Sequence, residues 1–365
     1  MTGRAMTGCA TPAARRTAQG NQSQPDQDGG HRERDHAARN EYHRDPFYQG
    51  ALSLDLCLMI EGQEGVTWPQ WRALAEACER HGISTLFRSD HLQNLDGQHP
   101  ERGSLDAWGT TIALAALTTK LRFGTLVTPT SFRHPSVLAK LVVTADHVSN
   151  GRIDLGIGAG WHEREHEAYG YPFLKASERI DVLEEQLEIL VGHWGEEEFS
   201  WAGAHYTLSA LNAQPKPVQR PRPPIIMGGN AGPRSAALAT RFADEYNTAF
   251  PALEQIKARK ANIEEACERA GREPIPFSVM AGAVLGADAA EVEQRARVVA
   301  AATGWDADGL VRNPPPGWIV GTLEQAAEQL APIREAGVSR VMCNQFVEVD
   351  VEQVARLGEL AALVD

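Results

Sequence analysis

Cysteine is sparse in this chain, and its placement excludes more than its number does. Five residues, Cys9, Cys57, Cys78, Cys267 and Cys343, lie far apart and never form C-x-x-C. An odd, dispersed set argues against a disulfide-framed secreted scaffold and is expected of reduced thiols in a cytoplasmic protein. Basic excess is missing too: 48 acidic side chains against 35 Lys and Arg leave a formal charge of -13. Sequence-independent nucleic-acid binding needs cations to replace phosphate counterions, so no nucleic-acid partner is expected. No apolar run reaches the roughly 18 to 20 residues that span a bilayer, so no membrane segment is expected either. The opening MTGRAMTGCATPAARRTAQGN has arginines but lacks the apolar core of a signal peptide.

Large apolar residues are almost absent from the first 47 positions, which are rich in Gly, Gln, Asp, Arg and His. Such a segment buries too little surface to offset its ordering entropy. It is expected to be a disordered tail or an over-extended start. Residues 48–365 are expected to form a single domain.

From Leu52 onward, strand-like and helix-like segments alternate. LSLDLCLMI reads as a strand, followed by the helix TWPQWRALAEACERHG with Thr67 as N-cap, Pro69 in the first turn and Gly82 past its end. STLFRSDHL, LRFGTLVTP and RIDLGIGAG continue as strands two to four, each with a helix after it. The fourth helix, SERIDVLEEQLEILVGHW, takes Ser177 as its cap, and FSWAGAHYTLSALNAQPKPVQRPRP forms a hairpin and a proline-rich connector. PPIIMGG, DEYNTAF, PFSVMAGAVLG and SRVMCNQF complete the strands, and a loop holding Asn313-Pro314-Pro315-Pro316-Gly317 lies between two helices. Eight strand–helix units predict an α/β chain folded as a (β/α)8 TIM barrel with an insertion between the fourth and fifth units. A doubly wound sheet is second, since no early strand carries a G-x-G-x-x-G turn.

His162-Glu163-Arg164-Glu165-His166 fits both the zinc-protease pattern H-E-x-x-H and its inverse. A zinc site needs both histidines on one face of a stable helix and a third ligand further on. Here Tyr169-Gly170-Tyr171-Pro172 ends any helix within about two turns, so no metal is expected. The glycines before the motif, Gly156, Gly158 and Gly160, either admit a flat ligand close to the backbone or let the strand end pack tightly.

The ordered set LRFGTLVTPTSFRHPSVLAK, GRIDLGIGAGWHEREHEAYGYPF, ERIDVLEEQLEIL, GAHYTL, PKPVQ, PPIIMGG and ATRFADEYN resembles the luciferase-like superfamily of flavin- and deazaflavin-dependent oxidoreductases. Leu86-Phe87-Arg88-Ser89-Asp90-His91 resembles the branch that uses coenzyme F420. The likeness runs from about Leu52 to the C-terminus. It implies the same barrel, with a tricyclic cofactor across its C-terminal mouth and a hydride exchanged with a small organic substrate. The alternative implied is an FMN-dependent two-component monooxygenase that uses reduced flavin and O2 and is fed by a partner reductase. A homodimer is implied in either case.

Residue by residue, the resemblance makes His91 the catalytic acid, a role suited to a side chain that titrates near neutral pH. Asp90 and Thr128 match cofactor contacts, and a non-proline cis bond falls at Thr125-Leu126. Ala159 and Gly160 match a backbone cradle, with Arg164 a polar contact one turn on. Trp161 stands where related sugar-phosphate dehydrogenases hold a catalytic glutamate, which argues against a sugar phosphate as substrate. Gly228, Gly229 and the helix start near Pro233 match an anion site of open backbone N–H groups, to which Arg234 adds charge. Arg88 either fixes an anionic group or pairs with an acidic neighbour.

Overall fold

A computed structural model describes residues 54–345 and 349–364. The expected N-terminal tail lies outside the described residues. The first half comprises β1 (Asp55–Ile60), α1 (Trp68–Arg80), β2 (Thr85–Arg88), α2 (Ala107–Leu117), β3 (Arg122–Thr125), β4 (Thr128–Pro129) and α3 (Pro135–Ser149). Then come β5 (Ile153–Gly158), α4 (Glu163–Tyr169), α5 (Ala176–Trp194), the hairpin β6 (Phe199–Ala202) and β7 (Thr207–Leu211), and β8 (Ile225–Gly228). The rest is α6 (Pro233–Phe242), β9 (Glu245–Ala249), α7 (Leu253–Arg269), β10 (Phe277–Gly286), α8 (Ala289–Thr303) and α9 (Ala307–Arg312). The chain closes with β11 (Trp318–Thr322), α10 (Leu323–Glu335), β12 (Arg340–Gln345) and α11 (Val351–Val364).

The parallel sheet closes on itself: β12 pairs β1, the order runs through β2, β3, β5, β8 and β9 to β10, and β10 returns to β12. This is the (β/α)8 barrel that the strand count predicts. The strands are buried along nearly their whole length, as parallel strands covered by helices must be. The insertion is the antiparallel β6–β7 hairpin. Glu185 on α5 holds it, accepting the Ala204 amide at 2.7 Å and the Trp201 indole at 3.2 Å.

Three local expectations change. Helix α5 starts at Ala176 with Lys175 as N-cap, so Ser177 sits inside the first turn rather than capping it. The third barrel strand is broken: β3 pairs the start of β5 and β4 pairs its end. The proline loop is followed by a further strand, β11, which pairs the far half of β10 outside the barrel. Its five residues, WIVGT, are too few for periodicity to separate strand from loop.

The bottom of the barrel is closed by charge. Arg340 is nearly fully buried; its Nε meets Asp55 at 2.9 Å and its Nη1 meets Glu245 at 2.9 Å, while Arg122 pairs with Asp154. Burial pushes the Glu245 carboxyl above its ordinary range, against the lowering pull of Arg340. Above this floor, Cys57, Met59, Phe87, Ile226, Met280 and Met342 fill the interior as one apolar layer. The barrel is therefore plugged below and open only where the strands end. Replacing Arg340 with Met should cost about 3–5 kcal/mol in urea unfolding at neutral pH, because buried carboxylates lose their cation. The loss should shrink toward pH 5, as a carboxyl with a raised folded pKa takes up its proton.

Candidate active site

The strand ends open into a cavity of about 880 Å³. Leu126 and Val127 from the β3–β4 turn line one part of it, with Met280 and Phe250 opposite in the chain order. Gly158 to Trp161 form an edge after β5, and Gly228 to Asn230 form another after β8. This is the face on which barrel enzymes carry their chemistry.

His91 follows β2 and lines the cavity. Its Nδ1 donates to Glu165 Oε2 at 2.8 Å, and its Nε2 has no partner among the described residues. Burial alone disfavours the imidazolium, but the Glu165 hydrogen bond and charge, with Glu61 and Asp90 beyond, raise the His91 pKa above its ordinary value. Glu165 has no exposed side-chain surface, and burial opposes its charge. The bond from His91 and those from the Leu92 and Gln93 amides, at 2.5 and 3.3 Å, outweigh that cost and hold its pKa low. The pair is an imidazole whose charged form is favoured, oriented by a fixed carboxylate.

The H-E-x-x-H letters have a different use from zinc. His162 caps α4, its Nδ1 accepting the Glu165 amide at 3.3 Å and its Nε2 meeting Leu95 O at 3.1 Å. His166 contacts His162 O through Nδ1 at 2.7 Å and Ser131 Oγ through Nε2 at 2.6 Å. All four ring nitrogens are thus engaged with protein atoms. Arg164 Nη2 donates to Asn94 O at 2.6 Å and Tyr169 OH to Leu92 O at 3.2 Å. Helix α4 is a clamp on the loop after β2. Glu165, which orients His91, is a candidate site residue that is not among those expected from the sequence, and its signal lies inside that motif.

Of the residues expected at the site, His91, Leu126, Ala159, Gly160, Gly228 and Gly229 line the cavity. Asp90, Thr125, Thr128 and Arg164 stand behind it. Asp90 is buried, accepting from Arg133 Nη1 at 2.5 Å and from the Thr128 hydroxyl at 2.8 Å. Thr128 Oγ1 also accepts the Trp108 indole N–H at 3.1 Å, and the Thr125 hydroxyl donates to Gly156 O at 2.8 Å. Arg88 donates to Ser89 O, Ser104 Oγ and Leu105 O, and burial lowers its pKa to about 10.

Among the described residues the non-proline cis peptide bond is Leu126–Val127, one residue beyond the expected Thr125–Leu126. The Leu126 amide still donates to Arg88 O at 2.8 Å, so strand pairing with β2 persists through that residue and the chain leaves the ladder after it. Val127 also explains the glycine run. A Cβ on Gly158 would lie 2.8 Å from Val127 Cγ2, one on Gly228 would lie 3.2 Å from Val127 Cγ1, and one on Gly156 would collide with the Thr125 carbonyl oxygen. Two of the three glycines thus serve tight packing. Gly160, at φ 79°, is the one that turns the backbone beside the cavity.

At the other end, Gly229 has φ 151° and its amide donates to Asn247 O at 3.0 Å. Helix α6 follows, with Gly232 as N-cap, Pro233 next and no side-chain cap. Its first amides lack an intrahelical partner, which leaves donors for an anion. Arg234 is engaged elsewhere, with Asp181 at 2.5 Å.

A closed parallel barrel, plugged below, with a carboxylate-held histidine in the wall of its open end, puts the candidate site at the strand C-termini. The chain belongs to the luciferase-like monooxygenase family, whose model matches residues 56–340. It is similar to the FMNH2-dependent dimethylsulfone monooxygenase of Pseudomonas putida, 32% identical over 234 residues, 63% of this chain and 61% of that protein. It is also similar to the F420-dependent glucose-6-phosphate dehydrogenase of Nakamurella multipartita, 33% identical over 205 residues, 54% of this chain and 58% of that one. The chain thus spans less than two thirds of either relative's length. In fold it matches an F420-dependent secondary alcohol dehydrogenase crystallised with an F420-acetone adduct, with a TM-score of 0.73 at 18% identity over 86% of this chain and all of that one. These relatives are oxidoreductases and monooxygenases that use F420 or FMN.

Replacing Glu165 with Gln keeps acceptors for the Leu92 and Gln93 amides but removes the charge beside His91. The His91 pKa should fall, since burial is then opposed only by the charges of Glu61 and Asp90. NMR titration of the His91 ring reads this directly, and an unmoved pKa would sink the pairing.

Proposed function

We propose that this chain is a coenzyme F420-dependent oxidoreductase that moves a hydride between the deazaflavin and a small organic substrate. The observation that carries the reading is the His91–Glu165 pair, with Nε2 of His91 left free at the cavity. The cavity suits a flat ring with an anionic extension: it is broad, with apolar Leu126 and Val127 in its wall, and Gly228, Gly229 and Asn230, which line it, lead along the chain to α6, whose start has no side-chain cap. When bound, the deazaflavin supplies a two-electron carrier that exchanges hydride at a ring carbon. Leu126, Val127, Ala159 and Gly160 hold the ring in this reading, and Gly228, Gly229 and the α6 amides hold the anion. His91 gives or takes the proton at Nε2, and Glu165 keeps the imidazole in one orientation. Trp161 covers the rim and carries no proton.

The sign of the pH dependence follows from the raised His91 pKa. Carbonyl reduction needs the imidazolium, so its rate is full at low pH and falls as pH rises through that pKa. Alcohol oxidation needs the neutral ring and behaves in the opposite way.

A second reading, reduced FMN with O2 and a partner reductase, uses the same cavity and is supported by the likeness to the Pseudomonas putida enzyme. Four cysteines are buried free thiols, which supports a cytoplasmic setting, and a homodimer is proposed under either reading.

Paired titration of the purified protein with F420 and FMN, read by quenching of tryptophan fluorescence, separates the two. F420 should bind at least about tenfold tighter, a difference of about 1.4 kcal/mol. Tight FMN binding without F420 affinity would replace the first reading by the second. His91→Asn should lower kcat by about 10²- to 10⁴-fold while leaving cofactor affinity within about threefold.

A further inference from the structure

With this cavity read as the active site, its charge bears on what the substrate carries. Four carboxylates line it, from Glu61, Glu64, Asp96 and Glu165, against the single guanidinium of Arg102. Two are already answered: Glu165 by His91 at 2.8 Å and Glu64 by Arg102 at 3.0 Å. Glu61 is held differently. It stands directly after β1, its Oε1 accepting the Asn344 side-chain amide at 2.9 Å and its Oε2 the Gln63 amide at 2.8 Å. Both donors are neutral. Gln63 is itself fixed, accepting the Ser89 hydroxyl at 2.5 Å, and is almost fully buried. Glu61 is therefore positioned by neutral donors, in a cavity that also presents Leu126, Val127 and Met280, and the imidazole whose charge it supports, His91, is already hydrogen-bonded to Glu165. A charge so placed is felt more strongly than one in open water.

Two indoles border the same space. Trp161 and Trp305 line the cavity yet are 63% and 40% exposed, high values for the largest apolar side chain. Indole faces attract cations, most of all beside a carboxylate. Trp161 also meets the His91 ring edge to face at 5.8 Å, which places it beside the proton-handling group.

We propose that the substrate carries a cationic nitrogen, drawn in by Glu61 and covered by Trp161. This rests on the active-site reading and adds a substrate class to it: amines and quaternary ammonium compounds are favoured over substrates whose phosphate or carboxylate would face Glu61 and Asp96, whereas the cofactor's own anion is read at Gly228 and Gly229.

Calorimetric titration with three probes of one shape and different charge tests it: benzyltrimethylammonium, benzyl alcohol and benzoate. Each is added to wild-type protein and to the Glu61→Gln and Glu61→Asp variants, with and without cofactor. The cation should bind at least about tenfold tighter than the alcohol, and benzoate should not bind measurably. Glu61→Gln should erase that preference, Glu61→Asp should keep most of it, and affinity for the alcohol should stay the same in all three. Equal binding of cation and alcohol by the wild type overturns the proposal, as does a preference that survives in Glu61→Gln. Should Glu61→Gln fail to fold, the wild-type comparison still decides. Cofactor affinity is read separately in the same samples. Loss of cofactor binding counts against the oxidoreductase reading, while loss of charge discrimination in loaded protein counts only against the cationic substrate.

Discussion

One buried carboxylate ties the site together. Glu165 reaches from α4 across to the loop after β2, where it takes the His91 ring and two successive backbone amides. Without that bond the imidazole has no fixed tautomer, and the loop loses its innermost contact with the helix. His162, Arg164 and Tyr169 extend the same grip outward to Leu95, Asn94 and Leu92. The loop they hold supplies Leu95 and Asp96 to the cavity wall. Cavity shape and the orientation of the His91 ring therefore share one mechanical cause.

The charged floor supports this from the opposite end. Asp55, Asp154, Glu245, Arg122 and Arg340 stand at or near the first residues of five strands, so their mutual pairing fixes the barrel's lower rim. Buried pairs of this kind add little net stability, but they cost much when one partner is lost, and they favour one register over its neighbours. Above them the apolar layer shuts out water. A ligand can enter only at the strand ends, where the loops have been set in place.

Much of this was legible in the sequence, and the boundary is instructive. The eight units, the hairpin and the cap at Thr67 follow from short-range periodicity and turn chemistry, and each is present. His91, Ala159, Gly160, Gly228 and Gly229 reach the cavity because they lie at or within three residues of strand C-termini, where the barrel puts its mouth. Asp90 and Thr128 lie equally close to strand ends, yet they face Arg133 and Trp108, partners brought in by tertiary packing that no local pattern announces. Glu165 was hidden for another reason. It occupies a five-letter string whose apparent zinc meaning drew attention to the histidines at its ends.

The glycine run shows what such a string leaves open. Read along the chain, Gly156-Ile157-Gly158-Ala159-Gly160 fits a surface kept bare for a ligand and tight packing of the strand end equally well. In space, Gly156 and Gly158 are joined by Gly228 from the neighbouring strand, and the Val127 side chain occupies the room that the last two leave. A methyl group on these strands would compete with protein, not cofactor. The bare positions matter to function at one remove: they let the β3–β4 turn lie low over β5 and β8, and that turn brings Leu126 and Val127 into the wall of the cavity. Glycine here builds the ligand's support, and the ligand would meet the valine and leucine that glycine admits.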